Sequence, residues 1–147
     1  MIADPTIDWV VVPSALDGME SPNLIVTEAG QNRELSVVVS SWLNGVCRRA
    51  ASVHFEGVVA TVIVDDDLQA MDGNGSAVYD GTGYLKEARR SALIDRLTAL
   101  DIDATPMRHF LLVGLRSCLE VVGSGLPHIV VHSDYAEALN QRLPEAA

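Results

Sequence analysis

The chain has 147 residues, of which 48% are hydrophobic, and its 20 acidic against 10 basic residues give a formal net charge of −10. An apolar fraction this high excludes a disordered chain, and two cysteines are too few for a disulfide-stapled scaffold. The negative charge argues against the basic surface that nucleic-acid binding requires, so a nucleic-acid partner is not expected.

Targeting signals and cysteine usage indicate the compartment. The N-terminal residues lack the basic and long apolar regions of a signal peptide, and no run approaches the ~18 apolar residues of a membrane span. Cys47 and Cys118 lie in apolar patterns outside any CxxC pair, as expected of free thiols in a reducing environment. We therefore expect a soluble, cytoplasmic protein that folds as a single compact domain over 1–147 and has no membrane partner.

The first half of the chain begins with two predicted strands. An apolar, β-branched run over 7–12 is followed by a loop, and 23–28 is a second short strand. Residues 34–50 are ambiguous, because Val37–Val39 favours a strand whereas the apolar residues recur at helical spacing. Those residues are Leu35, Val38, Val39, Trp42, Leu43, Val46 and Cys47. The length of the run favours a helix, and we predict one.

The middle of the chain is predicted to be extended, with a break at Gly57 within 53–64 and a turn at 72–75 leading into a short strand at 76–79. The apolar residues then recur at helical spacing, which predicts an amphipathic helix over 84–100.

A second, strongly apolar helix is predicted over 107–122, after an N-cap at Thr105, and Gly114 on its apolar stripe would permit close approach by a neighbouring element. Residues 127–132 are predicted to form a strand, and Ser133 or Asp134 caps a final helix. The predicted order is β-β-α-β-β-β-α-α-β-α. This order is that of a mixed α/β (α+β) single-domain fold with about four helices and 107–122 buried at its centre.

The last predicted strand carries the first candidate site. Alternation places His128, Val130, His132 and Asp134 on one face, so His132 and Asp134 are neighbours where the strand enters a helix. An imidazole and a carboxylate so placed could share a divalent metal ion. The alternative is structural, with Asp134 capping the helix and His132 hydrogen-bonded to it.

A second acidic group, Asp65-Asp66-Asp67, follows the apolar run over 58–64. Carboxylates at a strand end are typical Mg²⁺ ligands, although three consecutive acids also form an ordinary solvated loop. The stretch 105–139 resembles the helix–strand–helix centre of ribonuclease H-like domains, in which acidic residues form a metal site. The resemblance implies that Asp134 matches the strand-end aspartate and that one of Asp65–Asp67 matches the first-strand aspartate. The helix position is His109 or Phe110 rather than an acid, so membership of that family does not follow.

Two functions are consistent with these features. The first is a non-catalytic domain that acts by protein binding or self-assembly, as a homodimer or with a protein partner. No catalytic motif is present, and the predicted helices carry more apolar surface than one small core can bury. The alternative is a phosphoester hydrolase or nuclease that uses Mg²⁺ or Mn²⁺. Its candidate catalytic residues are Asp65, Asp66, His132 and Asp134, of which Asp66, His132 and Asp134 are the metal candidates. No cofactor is expected under the first function.

Overall fold

The computed structural model of the chain describes residues 9–19, 22–29, 33–65, 83–100, 106–114 and 117–140. These residues form nine strands and two helices. In chain order they are β1 (Trp9–Val11), β2 (Asn23–Ala29), β3 (Leu35–Leu43), β4 (Val46–Phe55), β5 (Ala60–Asp65), β6 (Leu85–Ala88), α1 (Ala92–Ala99), β7 (Arg108–Val113), β8 (Ser117–Gly123), β9 (His128–His132) and α2 (Tyr135–Asn140).

The strands form two sheets that pack face to face. Sheet A has the order β1-β6-β7-β8-β5 and sheet B the order β2-β3-β4-β9, and every pairing between neighbours is antiparallel. One buried cluster contains residues of both sheets, and the rings of Phe55 in sheet B and Phe110 in sheet A lie 6.0 Å apart. The fold of the described residues is therefore a β-sandwich whose core lies between the sheets.

The outer face of each sheet is covered as well. On sheet A, α1 packs Leu97 against Val122 of β8, and on sheet B, α2 packs Ala138 against Val38 and Ala50. As a result β7 and β8 are buried along almost their whole length, and β3 is buried from Leu35 to Ser41. Three central strands thus bury both faces.

The predicted fold class is wrong, because the described residues are mostly antiparallel β-sheet with two helices instead of about four. The predicted helix over 34–50 is the hairpin of β3 and β4. Asn44 and Gly45 form its turn, with φ angles of 53° and 76°. Two successive positive φ angles are those of a type I′ turn, which favours Asn-Gly and fits the twist of two paired strands. Asn44–Gly45 is therefore the local sequence signal for this hairpin.

The predicted helix over 107–122 is also wrong, since these residues form β7 and β8. The helix–strand–helix segment that resembled ribonuclease H-like domains is therefore not present. Gly114, between the two strands, does permit a close approach: a Cβ there would lie 2.7 Å from Cγ of Leu24 in β2. Of the predicted helix over 84–100, the first part is β6 and only 92–99 is helical.

Several other predicted elements are confirmed. Strands occur at the predicted positions 7–12, 23–28 and 127–132, and a helix follows Asp134 as predicted. The predicted turn and strand over 72–79 lie outside the described residues. None of the helices in the described ranges is long and apolar enough to cross a membrane.

Truncation of a core ring tests the sandwich. Phe110→Ala removes a side chain buried between the sheets, so we expect it to lower the free energy of unfolding by about 3–5 kcal/mol. Ile63→Ala on β5, whose side chain is 64% exposed, should change the free energy by at most about 0.5 kcal/mol. Urea denaturation measures both values, and equal losses in the two variants would contradict the assignment of Phe110 to the core.

Candidate functional site

His132 and Asp134, the first predicted site, lie at the junction of β9 and α2. Asp134 caps α2, because its carboxylate accepts a hydrogen bond of 2.7 Å from the backbone N–H of Glu137. Both ring nitrogens of His132 have protein partners: Nε2 lies 2.9 Å from Oγ of Ser52, and Nδ1 lies 3.2 Å from Oε1 of Glu137. The described residues therefore give Asp134 a capping role and leave neither nitrogen of His132 free for a metal ion.

The backbone of Asp65, which belongs to the second candidate group, lies in a different sheet from this junction. Asp65 ends β5, an edge strand of sheet A, whereas His132 ends β9, an edge strand of sheet B. Asp66 and the side chain of Asp65 lie outside the described residues. β5 and β9 are not neighbours in a sheet, and the convergence of these carboxylates with His132 stays a prediction.

Glu137 completes the polar group around His132. Its pKa lies below the ordinary value of 4.5, first because the Ser133 hydroxyl donates a hydrogen bond to its carboxylate and second because His132 does the same. Both contacts favour the charged carboxylate, so they stabilise the fold only while Glu137 is ionised.

A pH series tests these contacts. A depressed pKa in the folded state contributes stability that is complete above the unfolded pKa and is lost as the pH falls through the folded pKa. The stability advantage of the parent over Glu137→Gln should therefore be constant above about pH 5 and should shrink on further acidification. Urea midpoints of both proteins from neutral to strongly acidic pH measure it, since the other carboxylates titrate in both. A difference that did not change with pH would contradict the role given to Glu137.

A buried polar network lies on the outer face of sheet A. His109 on β7 is 1% exposed, and its Nε2 lies 2.8 Å from Oε1 of Glu120 on β8. Its Nδ1 lies 2.8 Å from Oγ of Ser91, which caps α1 by accepting a hydrogen bond of 3.0 Å from the backbone N–H of Ile94. With an ionised carboxylate and a neutral imidazole, Nε2 would donate to Glu120 and Nδ1 would accept from the Ser91 hydroxyl.

Serine, histidine and glutamate here have the connectivity of a hydrolytic triad, but the geometry favours a structural role. His109 and Glu120 are both buried, so the imidazole has no access to a substrate, and Oγ of Ser91 already accepts a hydrogen bond from the N-terminal amide of α1. His109 also lies beneath the edge of the Trp9 ring, with the ring centroids 5.0 Å apart. The network therefore fixes α1 to sheet A and satisfies the polar groups that the helix buries.

Removal of the carboxylate tests this role. Glu120→Ala leaves buried Nε2 of His109 without a partner, so we expect a loss of about 1–3 kcal/mol in the free energy of unfolding. Glu56→Ala removes a carboxylate from a side chain that is 71% exposed and should change the value by at most about 0.5 kcal/mol. Chemical denaturation at neutral pH compares the two, and a loss from Glu120→Ala no larger than that of the control would rule out the structural role.

Two further features lie at the two ends of the β3–β4 pair. Glu34, His54 and Glu56 form a cluster in which one ligand atom from each side chain lies within 4.8 Å of the others. A shallow cavity of about 250 Å³ borders Glu34 and extends to Val58 and Thr61, which is smaller than most ligand pockets. The predicted helix over 34–50 concealed this cluster, because only the pairing of β3 with β4 brings Glu34 beside Glu56.

The end of the β3–β4 hairpin is the second feature. Its large apolar side chains are exposed, at 38% for Trp42, 49% for Leu43 and 54% for Val46. The Trp42 ring meets the ring of Tyr135 on α2 edge to face, with centroids 4.9 Å apart. Leu139, one turn further along α2, is 41% exposed. We name these five residues the hairpin patch.

Comparisons of the chain with protein-family models, with curated proteins and with solved structures found no match. Function is therefore inferred from the geometry of the chain itself.

Proposed function

We propose that this chain acts by binding protein, and that the hairpin patch is the surface through which it binds a second copy of itself. The observation that carries the proposal is the exposure of Trp42, Leu43 and Val46 within five consecutive residues. Large apolar side chains that are exposed close together at a surface mark interaction sites, whereas single ones are ordinary. Tryptophan in particular is enriched among the residues that dominate binding energy.

Charge supports the choice of this surface for self-association. The chain carries a net charge of −10, and a large net charge opposes the association of identical copies. The hairpin segment 35–55 contains no aspartate or glutamate, and it carries Arg48 and Arg49. Two copies that meet through their hairpin ends thus bring together a segment that carries no acidic side chain.

The hairpin end is held in one conformation before binding. Trp42 Nε1 donates a hydrogen bond of 2.8 Å to Oγ of Ser40. Arg49 anchors the hairpin to the loop before β2, because its guanidinium donates to the backbone oxygen of Ala15 at 3.0 Å. A surface that is already ordered loses less conformational entropy on binding, which favours affinity.

The symmetry and the size of the hairpin patch indicate how stable the dimer should be. A twofold contact pairs the same patch of each copy, and twofold dimers are the commonest assemblies of soluble chains. The hairpin patch contains only five side chains, fewer than the roughly 20–30 residues on each side of a standard stable interface. The proposal is therefore a weak, concentration-dependent dimer.

Sedimentation equilibrium over a wide concentration range tests the proposal. The mass of the parent should rise from 15.8 kDa toward twice that value as the concentration increases. Added salt should strengthen the dimer, because it screens the repulsion between two negatively charged copies. The double variant Leu43→Thr, Val46→Thr removes apolar surface and keeps strand propensity, so it should remain a monomer.

Ile63→Thr is the matched control, because Ile63 is 64% exposed on β5 and lies outside the hairpin patch. This variant should dimerise as the parent does. A parent mass that stays at 15.8 kDa at every concentration would contradict self-association. Equal loss of dimer in Ile63→Thr and in the double variant would contradict the role of the hairpin patch.

A further inference from the structure

We propose that Glu34, His54 and Glu56 bind a divalent transition-metal ion, with Zn²⁺ as the probe. The three residues meet where β3 begins and β4 ends. Leu35 and Phe55 are the last paired residues there, and Glu34 and Glu56 follow them on the outer face of sheet B. His54 lies on the same face, two residues before Glu56.

An imidazole nitrogen without a partner points to the ligand. Among the described residues, the buried side-chain nitrogens with no hydrogen-bond partner are Nε1 of Trp9 and Nε2 of His54. An indole N–H can only donate, so it cannot bind a cation, whereas a neutral imidazole nitrogen can. Buried polar atoms are nearly always satisfied, and Nε2 of His54 therefore requires an explanation.

The distances around this nitrogen fit an ion better than a hydrogen bond. Nε2 of His54 lies 4.0 Å from Oε1 of Glu34 and 3.9 Å from Oε1 of Glu56. Charge-assisted hydrogen bonds to carboxylates are about 2.7–2.9 Å long, so neither carboxylate satisfies the nitrogen. Two ligands that each bind Zn²⁺ at about 2.0–2.2 Å with tetrahedral geometry lie roughly 3.3–3.6 Å apart. A closure of about half an ångström would bring each carboxylate to that distance from Nε2, and all three ligand atoms already lie within 4.8 Å of one another.

The other ring nitrogen supports the same assignment. Nδ1 of His54 lies 3.3 Å from Oγ of Ser36. When Nδ1 carries the proton and donates to that hydroxyl, the lone pair of Nε2 points at the two carboxylates. Histidine ligands usually donate their second N–H to a neighbouring group in this way, which fixes the ring orientation.

Charge and ligand type indicate the class of ion. Two carboxylates on neighbouring strands of one face repel each other, and a divalent cation would neutralise them. Imidazole nitrogen favours Zn²⁺ and related transition metals over Mg²⁺ and Ca²⁺, which prefer oxygen ligands alone. The exposure of Glu56, at 71%, leaves one side of the site open to solvent. Three protein ligands and a water molecule would then complete four-coordinate zinc.

Imidazole ¹H–¹⁵N correlation spectra recorded during a Zn²⁺ titration test the site directly. The chain has four histidines, and His109 and His132 have both ring nitrogens engaged by protein groups. We expect Nε2 of His54 to move to a metal-bound shift at one equivalent, the signals of His109 and His132 to stay unchanged, and a chelator to reverse the effect. Saturating Zn²⁺ that left His54 unchanged, or shifted only the exposed His128, would overturn the proposal.

Calorimetry with carboxamide variants supplies the second measurement. The double variant Glu34→Gln, Glu56→Gln keeps side-chain size and should bind Zn²⁺ at least about tenfold more weakly than the parent. Asp95→Asn, which neutralises an exposed carboxylate on α1 over the other sheet, should bind as the parent does. Mg²⁺ should give no comparable binding. Equal Zn²⁺ affinity in the parent and the double variant would contradict the ligand set.

Discussion

Burial of the central strands on both faces is the constraint on which the rest of this structure depends. Alternate residues of a strand point to opposite sides of its sheet, so a strand with one solvated face needs apolar residues only at every second position. In β3, β7 and β8 the inner residues fill the space between the sheets, and the outer residues lie in clusters beneath α1, α2 or neighbouring aromatic rings. These strands are therefore apolar at consecutive positions. The two short helices are needed to shield the outer apolar residues from solvent.

The same constraint decides which polar groups need partners. His109 projects from the outer face of sheet A, where α1 removes it from water, and Glu120 and Ser91 satisfy its two nitrogens. His132 is satisfied in a similar way on sheet B. Among these buried histidine side chains His54 is the exception, because one of its nitrogens is buried without a hydrogen bond. The metal proposal follows from this exception, whereas the dimer proposal follows from apolar side chains that extend past the covered part of the sheet.

The sequence predicts the edge strands β1 and β9 better than the central strands of the two sheets. The strands at 9–11 and 128–132 are short apolar runs closed by turn residues, and the capping role of Asp134 follows from its position before a helix. The central segments 34–50 and 107–122 were predicted to be helices, because an uninterrupted apolar run matches the helical period as well as the strand period. In 34–50 the decisive signal was local, at Asn44–Gly45. The Glu34–His54–Glu56 cluster depends on strand register, which composition and spacing do not determine.

Cross-strand nuclear Overhauser effects over 107–122 test the central claim most directly. Antiparallel pairing brings the backbones of residues that are far apart in sequence close together, so contacts between β7 and β8 distinguish two strands from one helix. The account predicts backbone contacts between Phe110 and Val121 and between Leu112 and Leu119, in the register that pairs them. Contacts between residues three and four apart throughout 107–122, without those cross-strand contacts, would show a helix and contradict the doubly covered sandwich.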